Sequence, residues 1–532
     1  MSKNQRYFLH LTVLSVLLYF PGLGGRDFWA PVEPRYAEIA RVMFENGEWL
    51  VPRVNGEIYS DKPILYFWLV LIGSAFAGEV NEWTVRLPAA LGGVGFVLAT
   101  YLVGRDLLSA KTGWIGATVL GTTGRVIWEA RWAHVDTLFC FFFTLSIYFG
   151  ARALLGWGKP HEILYAYPCM ALATLAKGLI GAVLPGLIFL GFMLARRDWG
   201  LLKALRLPLG MPLYCLIAAP WFWLVNNATG GQWLRDFIYI HHLQRYTAGA
   251  GHEQPFYYYL RTLPLDFLPW TVFALPALWA YRPYGGIKRD PVALFLIAWF
   301  FAVVLFFTAS DTKRDLYLMP AFPPVALFVG TYIDDLASGR IAQDAVFRTS
   351  AFIFYHLLWI TALVAPAIAW WLRWEMIGSG LVPLACVLAG GVAGVAMVAR
   401  RKPAALYRAT ALMMLATTVA ASFSILPAIN AYKSSRSFAV LVRNTVPESA
   451  TLYVYADTMN DFNFYTRRDV LPILKSKQQV QNLLSQNEAA YMLVKDRDLK
   501  RIGTIPVERI IARDQIGSDH WNLVFLGPKL PA

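Results

Sequence analysis

Two carboxylates stand next to apolar segments. Glu33 lies in the run GRDFWAPVEPRYAEIARVMFENGEWLVPRVNGEIYSDKP (25–63), which is dense in charge yet follows an apolar segment, and Asp136 immediately precedes TLFCFFFTLSIYFG. An acid at the mouth of an apolar helix needs a cavity or a partner, which makes function the default reading. Each also has a structural reading: Glu33 as a first-turn carboxylate favoured by the helix dipole, and Asp136 as a helix N-cap. Basic residues recur in similar settings: Lys62 beside Asp61, Lys177 inside ALATLAKGLIGAVLPG, Arg245 within HHLQRY and Lys313 within SDTKRDLY. A single lysine there is explained by snorkelling to the interface. Several cations on one face suit a phosphate or pyrophosphate, because fixed positive charge stabilises a departing phosphate. No metal is assigned: His241, His242 and His252 have no HExxH or comparable carboxylate spacing,. The cysteines at 140, 169, 215 and 386 lie in apolar runs without CxxC spacing, so neither a disulfide framework nor a zinc site is indicated,. No cofactor is required; a divalent metal is compatible with these residues but not indicated by them.

The elements that position these groups are membrane helices. The 532 residues are 57% hydrophobic and 15% charged, with a mean hydropathy of +0.45, against about 25% charge in soluble domains. Much of the +14 net charge sits in short loops between apolar segments, where it orients a membrane protein rather than binding nucleic acid,. The basic N-terminus with its apolar core reads as a retained first helix. Apolar segments of about 17 to 25 residues begin near residues 7, 63, 87, 112, 137, 161, 178, 205, 265, 290, 315, 348, 378 and 404. If 63–79 lies along the outer surface, nearly every basic loop falls on one side, as the positive-inside rule requires. That predicts about thirteen spans, a cytoplasmic N-terminus and an external C-terminus. The loops left outside are 25–86, 125–136, the Lys177–Gly178 break, 227–264 and 310–315.

Within the charged run, Pro34 suits a helix start and Gly47 a stop. Residues 34–45 are expected to form an amphipathic helix with Tyr36, Ile39, Ala40, Met43 and Phe44 toward the membrane. Residues 1–426 form the membrane domain, with surface helices in 25–86 and a long external loop at 227–264. From 427 to 532, the strand-like runs TLYVYA, DVLPIL, AAYMLVK and VERIIA alternate with helix-compatible stretches such as SKQQVQNLLSQ. This predicts a small external α/β domain, a cap or an acceptor-docking module.

The segments VEPRYAEIARVMFENGEWLVPRVNGEIYSDKPILYFW, NEWTVRLPAALGG, EARWAHVD, LAKG, HHLQRY with FLPW, and KRDLYLMPAFP together resemble the bacterial aminoarabinose transferase and protein O-mannosyltransferase superfamily, membrane glycosyltransferases of the GT-C class. The resemblance covers roughly residues 7–335. It implies inverting transfer of a sugar from a polyprenyl-phosphate (undecaprenyl-phosphate) donor to an acceptor at the periplasmic face of a bacterial inner membrane. Lipid A or another glycolipid is the favoured acceptor, and protein O-mannosylation or polysaccharide modification the alternative. By position, Arg35, Tyr36, Tyr59, Asp61 and Lys62 match the surface-helix motif, and Asp136, Lys177, Arg245 and Tyr317 match other cavity positions. The resemblance also marks a departure: relatives usually carry Asp-Glu where this chain has Val32-Glu33. A hydroxyl acceptor then needs Glu33 or Asp136 as base, whereas a phosphate acceptor is already ionised. The rival class is a flippase or transporter of lipid-linked sugars, which predicts internal repeats and midplane charge. Neither is visible.

Overall fold

The computed structural model describes the chain apart from residues 245, 247–252, 282–289, 373–374, 486–488, 504 and 528–532. It divides into two compact units, one of residues 1–23, 60–69 and 86–425, the other of residues 24–59, 70–85 and 426–532.

In chain order the first helices are α1 (Lys3–Tyr19), α2 (Val32–Glu45), α3 (Leu65–Ala77), α4 (Glu82–Leu107), α5 (Ala110–Gly121), α6 (Gly124–Ala130), α7 (Asp136–Leu154), α8 (Ala166–Lys177) and α9 (Ile180–Arg196). The start of α1 follows from a capping box: Gln5 N–H donates to the Ser2 hydroxyl while Ser2 N–H donates to the Gln5 side chain,. Eight helices among the described residues are long and apolar enough to cross a bilayer. They are α4, α7, Leu207–Ala228, Pro291–Ala309, Asp315–Ser338, Ala345–Trp371, Ile377–Ala399 and Pro403–Lys433. A ninth arises if Tyr258–Asp266 and Thr271–Tyr281, bent by 112°, form one broken crossing. The other segments expected to cross are also helical but short. α1 and α9 have 17 residues, and α5 and α8 have 12; at 1.5 Å per residue, 12 residues reach about 18 Å into a hydrocarbon layer of about 30 Å. α3, with 13 residues, is likewise too short to cross unaided.

Small residues let these helices approach closely, as is common where lipid removes the hydrophobic drive to associate. A Cβ on Gly330 would sit 2.7 Å from the Gly116 nitrogen, so the helix carrying Gly330 packs on α5 backbone to backbone. Arg131 donates to the carbonyls of Leu18, Tyr19 and Pro21, satisfying the end of α1,.

The second unit contains a five-stranded sheet of order β4-β3-β5-β7-β6. Its strands are β3 (Thr451–Tyr455), β4 (Ile473–Leu474), β5 (Ala490–Lys495), β6 (Ile510–Ile516) and β7 (Asp519–Phe525). β3 pairs in parallel with β4 and β5, and the other pairs are antiparallel. All six residues of β5 are buried, which is why AYMLVK reads as a near-continuous apolar run rather than an alternation. The four expected strands are present, and DHWNLVF adds a fifth. The hairpin β1 (Arg53–Val54) to β2 (Glu57–Ile58) turns on Asn55 and Gly56, both at positive φ, as a two-residue Asn-Gly turn requires.

Around this sheet, the second unit joins chain-distant segments. Asn55 Oδ1 accepts from the Leu471 N–H at 2.6 Å, and its Nδ2 donates to the Leu471 carbonyl at 3.1 Å. The Phe28 N–H donates to the Tyr465 hydroxyl at 2.9 Å, and Trp29 Nε1 donates to Asn430 at 2.9 Å. Arg436 bridges Asp27 and Glu82. Helix α2 begins at Val32 and places Pro34 in its first turn. Tyr36, Ile39, Ala40 and Met43 are buried as one stripe, but Glu38 and Arg41 are buried too. The expected polar face is covered within the unit: Arg41 binds Glu38 at 2.8 Å and Glu45 at 2.5 Å, and reaches Asp469 at 2.8 Å.

Candidate active site

In the first unit, Asp136 opens α7 and Lys177 closes α8. Their side chains form a buried ion pair. The Lys177 ammonium lies 5.0 Å from the Tyr317 ring centroid and 5.3 Å from that of Phe139, in cation–π reach of both,. Lys177 can end its helix here because Gly178 follows with φ +92°, a conformation that disfavours side chains, and because a Cβ there would meet His242 Nε2 at 2.9 Å,.

Beside the pair runs a second set of charges. His134 Nδ1 is 2.7 Å from Glu129, Glu129 is 3.3 Å from Arg125, and Arg125 also binds Asp266 at 2.6 Å and pairs with Asp315. Burial pulls the Arg125 guanidinium down, but Asp266, then Asp315 and Glu129, hold it above its ordinary value. Glu129, His134 and Asp136 bring potential metal-ligating atoms within 4.8 Å of one another. The charge a cation would supply to those carboxylates is already provided by Arg125 and Lys177. The sequence motifs point to Asp136 and Lys177; Arg125, Glu129, Asp266 and Asp315 are not among the candidates they give, although Glu129 and His134 share the EARWAHVD stretch.

Asp61 and Lys62 pair at 3.0 Å, and His241 Nδ1 approaches Asp61 at 3.4 Å. His242 Nδ1 lies 2.7 Å from the Phe237 carbonyl. Lys313, 5% exposed, donates to the carbonyls of Ser310 and Gln254. Arg245 and His252 lie outside the described residues.

The second unit holds the remaining candidates. Glu33, 0% exposed, is gripped by both terminal nitrogens of Arg26 at 2.5 and 2.9 Å, and the Trp29 N–H reaches it at 3.5 Å. The Arg26 guanidinium stacks 4.5 Å from the Trp29 ring centroid. Both Glu33 oxygens therefore already have donors. Tyr36 and Tyr59 meet edge to face, with centroids 6.4 Å apart. Arg35 is half-buried and forms no ion pair with another described residue. In α2, burial pushes the Glu38 carboxyl up to about 7 against the opposing pull of Arg41.

The arrangement of helices matches known proteins along its whole length. A crystal structure of ArnT from Cupriavidus metallidurans bound to undecaprenyl phosphate superposes with a TM-score of 0.79 at 21% identity, covering 100% of both chains. The archaeal oligosaccharyltransferase AglB from Archaeoglobus fulgidus gives 0.54 at 12% identity over 92% of this chain and 69% of that one. The fold is that of the GT-C membrane glycosyltransferases. In sequence, the dolichyl-phosphate-mannose-protein mannosyltransferase family matches residues 4–234. The undecaprenyl phosphate-alpha-4-amino-4-deoxy-L-arabinose arabinosyl transferase of Edwardsiella ictaluri is 30% identical over 341 residues, 63% of this chain and 61% of that protein. Its counterpart in Pectobacterium carotovorum subsp. carotovorum is 30% identical over 372 residues, 67% and 64%. The chain thus spans a little over three fifths of the length of the curated relatives it matches. In sequence and in fold the chain is thus similar to the aminoarabinose transferases and protein mannosyltransferases.

Proposed function

We propose that this protein is an inverting glycosyltransferase that moves a sugar from undecaprenyl phosphate to an acceptor at the periplasmic face of a bacterial inner membrane. The relatives' names favour an aminopentose as the sugar, and lipid A is the preferred acceptor. Thirteen crossings, a cytoplasmic N-terminus and a periplasmic C-terminal domain complete the reading.

The observation that carries it is the buried Asp136–Lys177 pair against Tyr317. A lysine held there by a carboxylate is a preorganised cation for the leaving phosphate. In the reaction, an acceptor oxygen attacks the anomeric carbon from the face opposite the phosphate. The new carbon–oxygen bond takes that oxygen's lone pair, and the old one breaks with its electrons leaving on polyprenyl phosphate. Lys177, Lys62 and Arg245 serve that phosphate, with Asp61 and Tyr317 on the sugar, and Arg35, Tyr36 and Tyr59 of the second unit keep the substrate-binding role that the resemblance implies. Glu33 in the second unit and Asp136 in the first are the candidate carboxylates, and each already faces a cation. A proton taken from a hydroxyl acceptor would have to displace Arg26 or Lys177, which favours an acceptor phosphate that is already ionised. The match to the protein mannosyltransferases supports a second reading, a hydroxyl acceptor on protein with Asp136 as base.

Purified enzyme incubated with undecaprenyl-phosphate aminoarabinose and either lipid A or a Ser/Thr-rich peptide, followed by mass spectrometry, decides between them. Sugar on a lipid A phosphate is the expected product. The absence of transfer to either acceptor would overturn the reading.

A further inference from the structure

One feature of the first unit is not used by the transfer chemistry. Trp128, on α6, stacks on Trp132 with ring centroids 4.9 Å apart and planes inclined by 21°. Trp128 is 45% exposed, although most neighbours in its helix are buried. Trp132 in turn meets the His134 ring edge-on at 6.5 Å, and His134 is bonded to Glu129. A ladder of rings therefore runs from an exposed indole face to the cluster in which Glu129, His134 and Asp136 lie together. Arg125, Trp128 and Glu129 follow i, i+3, i+4 spacing within α6, which puts the exposed indole and the charge network on the same side of that helix,.

We infer that the Trp128–Trp132 stack is a platform for a sugar ring next to the Asp136–Lys177 site. Stacking fixes both indoles at little entropic cost and presents a flat, electron-rich face. The C–H face of a pyranose carries slight positive charge and lies well on such a surface. A ring bearing an ammonium group gains a cation–π contribution as well. Tryptophan at a bilayer interface also serves as an anchor, but anchoring gives no reason for an aromatic ladder to end on a histidine and a carboxylate of the buried network. The sugar has two sources, the ring carried by the donor and the sugar backbone of the acceptor, and the inference rests on the glycosyltransferase reading for both.

The test uses the full-length enzyme with Trp128→Leu and Trp132→Leu, which stay apolar but cannot stack, and Trp128→Phe, which can. Binding of undecaprenyl-phosphate aminoarabinose is compared with binding of bare undecaprenyl phosphate, and KM for lipid A is measured alongside. If the donor ring occupies the platform, both leucine variants weaken the sugar-bearing lipid by roughly 3- to 10-fold and leave bare lipid unchanged. If the acceptor ring occupies it, KM for lipid A rises by a similar factor. In either case Trp128→Phe restores most of the loss. Equal weakening of bare and sugar-bearing lipid, as a membrane anchor would give, overturns the inference, and so does no change in any of the three. Wild-type enzyme that binds the donor but transfers nothing would sink the proposed activity, while the donor-binding comparison still reads the platform.

Discussion

Arg26 holds Glu33 through both ends of its guanidinium, at 2.5 and 2.9 Å, in a pair that is 6% and 0% exposed. Removing one partner strands the other as a buried charge. Arg26→Ala is expected to cost about 3–5 kcal/mol of stability, whereas replacing both residues with apolar ones recovers most of that loss. A double-mutant cycle on thermal unfolding in detergent measures it. Additive effects of the two single changes would mean that the pair is not coupled.

Lys177→Met removes the cation proposed to meet the leaving phosphate. Transfer should fall about 100- to 1000-fold in kcat, and Asp136→Asn, which releases Lys177 from its partner, should fall by a comparable factor. Normal turnover in both variants would remove them from the site.

Glu38 gives a pH test. Its carboxyl is raised from 4.5 to about 7 in the folded protein by burial, so the folded state holds a proton that the unfolded chain has released. The stabilisation is complete below about pH 4.5 and is lost as the pH rises through 7, a change of about 3 kcal/mol at most. Thermal midpoints of wild type should fall across that window more steeply than those of Glu38→Gln. Parallel curves would contradict the assignment.

Chelation tests the cluster of Glu129, His134 and Asp136. With Arg125 and Lys177 already compensating its carboxylates, transfer should continue at an unchanged rate in excess EDTA. Loss of activity restored by one divalent cation would instead make those three residues metal ligands.

Truncation after Phe423 removes Asn430, Tyr465 and Asp469, which bind Trp29, Phe28 and Arg41. The expected result is rapid proteolysis within residues 24–59 and loss of transfer, read by limited digestion and product assay. A truncated enzyme that keeps wild-type turnover would show that this loop holds its shape without the C-terminal residues.

Local signals were the readable ones. Apolar runs became helices, the Asn55-Gly56 pair became the hairpin it advertises, and Asp136 before its apolar run opened a spanning helix. Residues that work through distant partners left no such mark. Arg131, prominent in EARWAHVD, caps the end of α1 instead of joining the charge network. Glu38 and Arg41 look like a solvated helix face because the residue that covers them, Asp469, lies far along the chain. β7 carries a weak sequence signal because DHWNLVF begins with polar residues, paired only with β6, and turns largely apolar where it runs beside β5.

The unit that joins residues 24–59 and 70–85 to 426–532 also sets an order of assembly. On the ribosome, the charged loop emerges about 400 residues before its partners, so at about 5–20 residues per second it waits roughly tens of seconds for them. During that interval the chain inserts nearly all its apolar helices while the Arg26–Glu33 motif lacks its support. A chain terminated before residue 426 is thus a membrane protein without a finished loop, and residues 24–59 gain their support only once residues 426–532 have been made.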